Sequence, residues 1–327
     1  MQHPVMRVGI VGYGNLGRGT EAALARCPDM QLVGVFTRRD PASVTTLGAA
    51  VHPMAAIAGQ RDAIDVLILC GGSRDDLPVQ GPELAQTFNT VDSFDTHARI
   101  PAYFAAVDEA ARGGGRTAVI AVGWDPGLFS LTRLLGEAYL PDGTTYTFWG
   151  PGVSQGHSDA LRRVPGVKAA VQYTQPSQAA IDRVRSGERP VLTKREAHKR
   201  VCFVVLEEGA DAAAVTTAIQ TMPHYFADDD TSVTFITEAE LRRDHGGIPH
   251  GGFVLRSGIT GTDTQQLLEL RLALASNPEF TASVLVAYAR ACVRLHRAGD
   301  VGAKTVFDIA PGLLSPRSPD ELRRDLL

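Results

Sequence analysis

Along the first third of the chain, short apolar and β-branched runs alternate with longer stretches patterned for helices. Residues 8–11 form such a run and end in glycines, residues 15–27 carry Leu16, Ala23 and Leu24 at helical spacing, and residues 31–37 are apolar again. Strand, helix and strand in that order predict a βαβ unit with parallel pairing and a right-handed crossover. The continuous apolar runs at 65–70, 89–91 and 117–122 read as strands buried on both faces, and residues 101–112 suit a helix between the last two. The predicted fold class is α/β, with a Rossmann-type doubly wound parallel sheet over residues 1–125. Residues 42–59 are weakly patterned.

After Asp125-Pro126-Gly127 the pattern changes. Residues 148–156 read as a loop, residues 201–206, 232–236 and 267–274 as strands, and residues 280–297 as a long helix. These elements predict a second, α+β domain for substrate binding and dimerisation over residues 126–299, with residues 300–327 returning to the first domain.

Composition narrows the class. A chain of 327 residues with 44% hydrophobic and 21% charged positions can bury two cores. A net charge of -4 argues against nucleic acid, whose phosphates need a clustered positive field. Cys27, Cys70, Cys202 and Cys292 include no C-x-x-C pair, so neither a metal site nor a disulfide framework is suggested, and a reducing cytoplasm fits. Residues 1–7 lead into the first strand without the features of an export signal, and no apolar run approaches the ~18 residues of a membrane span.

Gly12-Tyr13-Gly14-Asn15-Leu16-Gly17 lies between a predicted strand and a predicted helix, where glycines allow a tight turn and close approach to a pyrophosphate at the helix N-terminus. An acid at the end of the second strand would grip a ribose 2′-hydroxyl. Thr37-Arg38-Arg39 stands there instead and suits the 2′-phosphate of NADP. Cys70, Gly72 and Ser73 follow a later strand at the edge where such folds bind ligands, and Cys70 reads as a buried strand-end thiol rather than a nucleophile. Asp95 and Asp125 each follow a predicted strand at that same edge. They suit an ammonium group, or equally helix capping.

These motifs, with the glycine-rich block 148–163, Gly123-Trp124-Asp125-Pro126-Gly127, His198-Lys199-Arg200 and Pro249-His250-Gly251-Gly252, make the chain resemble the meso-diaminopimelate dehydrogenase family along nearly its whole length. The resemblance implies an NADP-dependent homodimer. It would oxidatively deaminate the D-centre of meso-2,6-diaminopimelate to L-2-amino-6-oxopimelate, which cyclises to tetrahydrodipicolinate, and release ammonia; the reverse direction would serve lysine and cell-wall synthesis. By the same resemblance Asp95 and Asp125 are the catalytic acids near the substrate ammonium groups. Trp124, Trp149, Gln155 and Gly156 line the pocket, and Thr174, Arg200, His250 and Asn277 hold the distal, unreacted centre. Two rival readings share this fold: a dehydrogenase for another D-amino acid or 2-oxo acid, which would leave Arg200, Thr174 and His250 without a partner, and a catalytically silent NADPH-binding protein.

Overall fold

The computed structural model describes residues 5–327, so residues 1–4 of the amino-terminal reading lie outside it. The strands follow in chain order: β1 (Met6–Val11), β2 (Met30–Thr37), β3 (Val51–Pro53), β4 (Val66–Leu69), β5 (Thr90–Asp92), β6 (Thr117–Val119), β7 (Gly143–Trp149), β8 (Gly152–Val153), β9 (Val167–Pro176), β10 (His198–Leu206), β11 (Asp230–Phe235), β12 (His250–Thr260), β13 (Thr264–Leu274) and β14 (Gly302–Lys304). Two compact units result. One comprises residues up to Leu131 and Pro278–Leu327, the other Thr132–Asn277. The long helix Asn277–Arg297, expected with the second domain, lies almost wholly in the first unit.

The first unit holds a seven-stranded sheet in the order β14-β6-β5-β4-β1-β2-β3, and every pairing in it is parallel. Its strands are apolar throughout because both faces are covered. Val8, Ile10 and Ile68 pack on one side with Leu285, Val286, Ala289 and Val293 of the long helix. Val11, Leu67 and Leu69 pack on the other side with Leu77, Leu84, Tyr103 and Val107, from the helices Leu77–Ala85 and Ile100–Gly114. Arg290, 4% exposed, clamps the long helix through a bidentate pair with Asp29 at 2.6 and 3.0 Å. The chain runs outward from β1 to β3 and then returns to β4 on the other side of β1. That reversal opens a crevice at the carboxyl ends of β1 and β4.

The weakly patterned residues 42–59 become short 3-10 turns around the edge strand β3. Their anchor is Glu21, buried on the helix Asn15–Leu24, whose carboxylate accepts from the Ala49 N–H at 2.9 Å, the Leu47 N–H at 3.1 Å and the Tyr13 hydroxyl.

The second unit contains two sheets, β11-β10-β9-β8 and β13-β12-β7. Residues 148–156 are not one loop. Tyr146 and Phe148 point inward against Phe253, Leu255, Ile181 and Val184, so β7 continues through Trp149; a turn at Gly150-Pro151 leads into β8, and Ser154 caps the helix Gln155–Leu161. Density of glycine masked this inward alternation. Among the described residues no helix is long and apolar enough to cross a membrane.

Candidate functional site

At the end of β1 the three motif glycines do different work. Gly12 has φ +87°, a left-handed conformation that favours glycine. A Cβ on Gly17 would lie 2.3 Å from the Gly12 carbonyl oxygen, so glycine lets the helix close onto the turn. Gly14 faces open space and caps the helix Asn15–Leu24 without any side-chain hydrogen bond. First-turn N–H groups with room in front of them form an anion seat.

That seat opens on a cavity of about 640 Å³ lined by Gly12, Tyr13, Gly14 and, across the sheet edge, Thr37, Arg38, Arg39 and Cys70. Arg39 donates to the Tyr13 carbonyl, and Arg38 pairs with Asp76, which also accepts from the Gly72 N–H at 2.9 Å. Burial pushes the Cys70 thiol up to about 12, which leaves it protonated and no nucleophile. Asn15, Leu16, Gly17, Gly72 and Ser73 flank this lining rather than form it. Ser73 faces the next loop, where its Oγ accepts from the Asp95 N–H at 3.1 Å.

The loops carrying Asp95 and Asp125 are tied together by Asp92, which sequence reasoning passed over. Its carboxylate is 1% exposed and accepts from the Phe94 N–H at 2.9 Å, the Ala121 N–H at 3.1 Å and the Tyr103 hydroxyl at 2.7 Å. Burial raises its pKa to about 6 against these donors. Asp95 itself is exposed and Asp125 half-buried. Trp124 is buried edge-on against Phe129 at 5.2 Å, in a turn so tight that a Cβ on Gly127 would meet the Gly123 carbonyl at 2.0 Å.

In the second unit the strands bring Thr174, Arg200 and His250 to one place. Arg200 on β10 is the register partner of Thr174 on β9, and its Nη1 donates to the Thr174 hydroxyl at 2.6 Å. Gly152 pairs with Thr174 from the other side, and a Cβ there would lie 2.4 Å from His250 Cα. A Cβ on Gly150 would lie 2.0 Å from the Thr174 carbonyl oxygen. The glycines of this block therefore serve close backbone approach around Thr174. Asp229, also missed in the sequence, holds Arg200 at 3.3 Å with both side chains largely buried. Asp229 Oδ1 and both side-chain amide atoms of the fully buried Gln172 have no hydrogen-bond partner within the chain. Buried polar atoms left open in this way are places where a water or a ligand can bond.

The remaining candidates lie around this cluster with distinct roles. His198 is a third residue whose part is not foreseen: its Nε2 accepts from the Trp149 N–H at 2.9 Å, and its ring stacks on Trp149 at 5.4 Å. Burial, with Arg200 adding to it, lowers both His198 and His157 to about 4. His157 is therefore a neutral wedge against Tyr225 and Phe226. Gln155 and Gly156 are exposed at the start of their helix, and the Asn277 N–H donates to the Ile248 carbonyl at 3.0 Å. Asp229 and His198 carry no local sequence signal, because their partners are distant in the chain.

A parallel sheet with its glycine turn at the switch point, joined to a second α+β unit, defines the class of two-unit Rossmann-type proteins. Residues 123–276 match the family model for the diaminopimelic acid dehydrogenase C-terminal domain. The chain belongs to the meso-diaminopimelate D-dehydrogenase family. It is 63% identical over 323 residues to the meso-diaminopimelate D-dehydrogenase of Ureibacillus thermosphaericus, covering 98% of this chain and 99% of that one. Among solved structures it is similar to the Corynebacterium glutamicum DAP dehydrogenase in complex with DAP, at 46% identity and a TM-score of 0.92 over 99% of this chain and 100% of that one. An engineered D-amino acid dehydrogenase bound to NADP+ is similar at 44% identity and a TM-score of 0.86, with the same coverage.

Proposed function

We propose that this chain is an NADP-dependent oxidoreductase that reversibly deaminates the D-centre of meso-2,6-diaminopimelate, giving L-2-amino-6-oxopimelate, ammonia and NADPH. The observation that carries this reading is the near-full-length 63% identity to an enzyme named for that activity. NADP fits the residues present: an open seat at Gly14, the uncapped helix behind it, and two arginines in place of an acid after β2. In this reading Gly12, Tyr13, Gly14, Asn15, Leu16 and Gly17 hold the pyrophosphate, Thr37, Arg38 and Arg39 the 2′-phosphate, and Cys70, Gly72 and Ser73 flank the cofactor.

Bound NADP+ supplies the hydride acceptor, and the chain's own residues do the rest. Asp95 and Asp125 bind the reacting ammonium and, directly or through a water that they hold, take its proton, so that the neutral amine can push the Cα hydride out. Water then adds to the substrate imine and ammonia departs. Arg200 and Thr174 hold the distal centre with His250 and Asn277, while Trp124, Trp149, Gln155 and Gly156 shape the wall. Charge-assisted bonds of about 1.5–3 kcal/mol each select the stereoisomer collectively.

The first unit is assigned to cofactor binding, and the second to substrate binding and dimerisation. A homodimer would cover β13, an exposed eleven-residue edge strand carrying Leu267. Four free cysteines fit a reducing cytoplasm. The direct test follows NADPH absorbance with NADP+ and the meso, L,L and D,D isomers of diaminopimelate. Turnover on the meso isomer far above the L,L isomer is expected; no turnover on the meso isomer overturns the proposal.

A further inference from the structure

The amino-terminal edge of the first unit's sheet, opposite the glycine turn, holds a second cavity of about 270 Å³. Arg7 enters it from β1, Asp65 and Asn89 from the starts of β4 and β5, Arg116 from the start of β6, and His296 and Arg297 from the end of the long helix; Arg61 and Asp62 complete it. Four guanidinium groups face two carboxylates. Asp65 is already taken up by Arg7, at 3.0 Å, and Arg297, at 4.0 Å. Arg61 and Arg116 have no carboxylate within 4 Å, and two buried nitrogens that point for a partner, Arg116 Nε and His296 Nδ1, have none. Burial lowers the pKa of Arg116 and the Arg61 charge lowers it further, with Asp62 opposing them, so the two cations repel each other across the cavity. A helix C-terminus attracts basic side chains, which accounts for Arg297. It does not account for Arg61 and Arg116, which belong to other segments, or for the unpaired nitrogens.

We propose that this cavity is a binding site for a compact dianionic oxyanion, a phosphoryl or dicarboxylate group, held chiefly by Arg61 and Arg116. An oxyanion there would accept from Arg116 Nε and replace repulsion with charge-assisted bonds. Binding of inorganic phosphate, and separately of succinate, is measured by calorimetry on the full chain saturated with NADP+, with ionic strength matched by chloride. Saturating the cofactor cavity keeps Arg38 and Arg39 from answering for this site. Saturable binding is expected, weakened about tenfold or more in Arg61→Gln and in Arg116→Gln, in line with the loss of one charge-assisted bond. Arg189→Gln, at an exposed ion pair with Asp142 in the second unit, should leave it unchanged. The ligand that binds more tightly and obeys this pattern names the oxyanion class. Arg61 is exposed, so its variant reports binding even if Arg116→Gln folds poorly. Unsaturable binding of both ligands, equal binding in Arg61→Gln and the parent chain, or an equal loss in Arg189→Gln, would overturn the proposal.

Discussion

The two units bury ionisable groups in opposite ways. In the first, Asp92 is a carboxylate sealed under the sheet edge with three donors converging on it. In the second, His157 and His198 are imidazoles packed among aromatic rings, and Asp229 and Gln172 keep polar atoms without partners. The first arrangement is complete within the chain and fixes backbone; the second leaves polar atoms open. Preorganisation of the loops after β5 and β6 is therefore a property of the folded chain, whereas the polar group around Arg200 has room for further bonds.

The largest expected effect comes from breaking the complete side. Asp92→Ala leaves two backbone N–H groups and the Tyr103 hydroxyl buried and unpartnered, a loss of about 3–5 kcal/mol by analogy with a broken buried charge network. Released loops would misplace Asp95 and Asp125 and lower kcat about a hundredfold. Asp92→Asn keeps one oxygen for the two N–H groups and should retain most of both. Urea unfolding and kcat for the two variants check this, and equal behaviour of Ala and Asn would refute the positioning role. On the incomplete side, Arg200→Gln should raise KM for meso-diaminopimelate about ten- to hundredfold, the loss of a charge-assisted contact, with KM for NADP+ unchanged. A parallel rise in both KM values would mean that Arg200 supports the fold rather than the substrate.

Acid should separate the units next. Burial lowers His198 and His157 from 6.5 to about 4, so the unfolded chain protonates them first; their contribution is present above about pH 6.5 and is lost as pH falls through about 4. Asp92 runs the other way. Its pKa is raised from 3.8 to about 6, so its contribution is full below the lower value and is lost as pH rises through the higher one. Between about pH 7 and pH 5 the second unit should lose roughly 2 kcal/mol from His198 alone, while in the first Asp92 adds about 1 kcal/mol, from which His296, lowered by burial, subtracts. Each unit carries one of the two tryptophans, so Trp149→Phe and Trp124→Phe variants report one unit each by fluorescence in urea. Midpoints that fall together on acidification would contradict the opposition.

The same contrast governs what could be read from the sequence. Parallel strands buried on both faces advertise themselves as apolar runs, and the glycine turn and Arg38-Arg39 are local patterns, so the parallel sheet and the residues that line the cavity at its glycine turn are legible in the sequence. In the second unit β9 buries Gln172 and Thr174, and β12 opens on His250-Gly251-Gly252 and buries Arg256, so neither shows strand alternation. Phe148 and Trp149 were assigned to a loop because the glycines after them dominate the composition. Those glycines answer to Thr174 and His250, contacts made only once the chain has folded. Phe94 apart, Asp92, Asp229 and His198 act through partners 11 to 49 positions away, beyond any local motif.

The smallest effect tests whether the first unit is complete everywhere. At the cofactor cavity Arg38 is engaged by Asp76, so its charge is shared before a 2′-phosphate arrives. Arg38 is well exposed, and an exposed ion pair is worth about 0.2–1 kcal/mol. Asp76→Asn keeps an oxygen for the Gly72 N–H and removes the charge that competes for the guanidinium. KM for NADP+ should therefore fall at most about fivefold, with KM for NAD+ and for diaminopimelate unchanged, because neither involves a 2′-phosphate. An equal fall for NAD+ would place the effect of Asp76 at the Gly72 turn instead of at Arg38. A rise for NADP+ would show that Asp76 orients Arg38 for the phosphate, making the pair another completed network like that around Asp92.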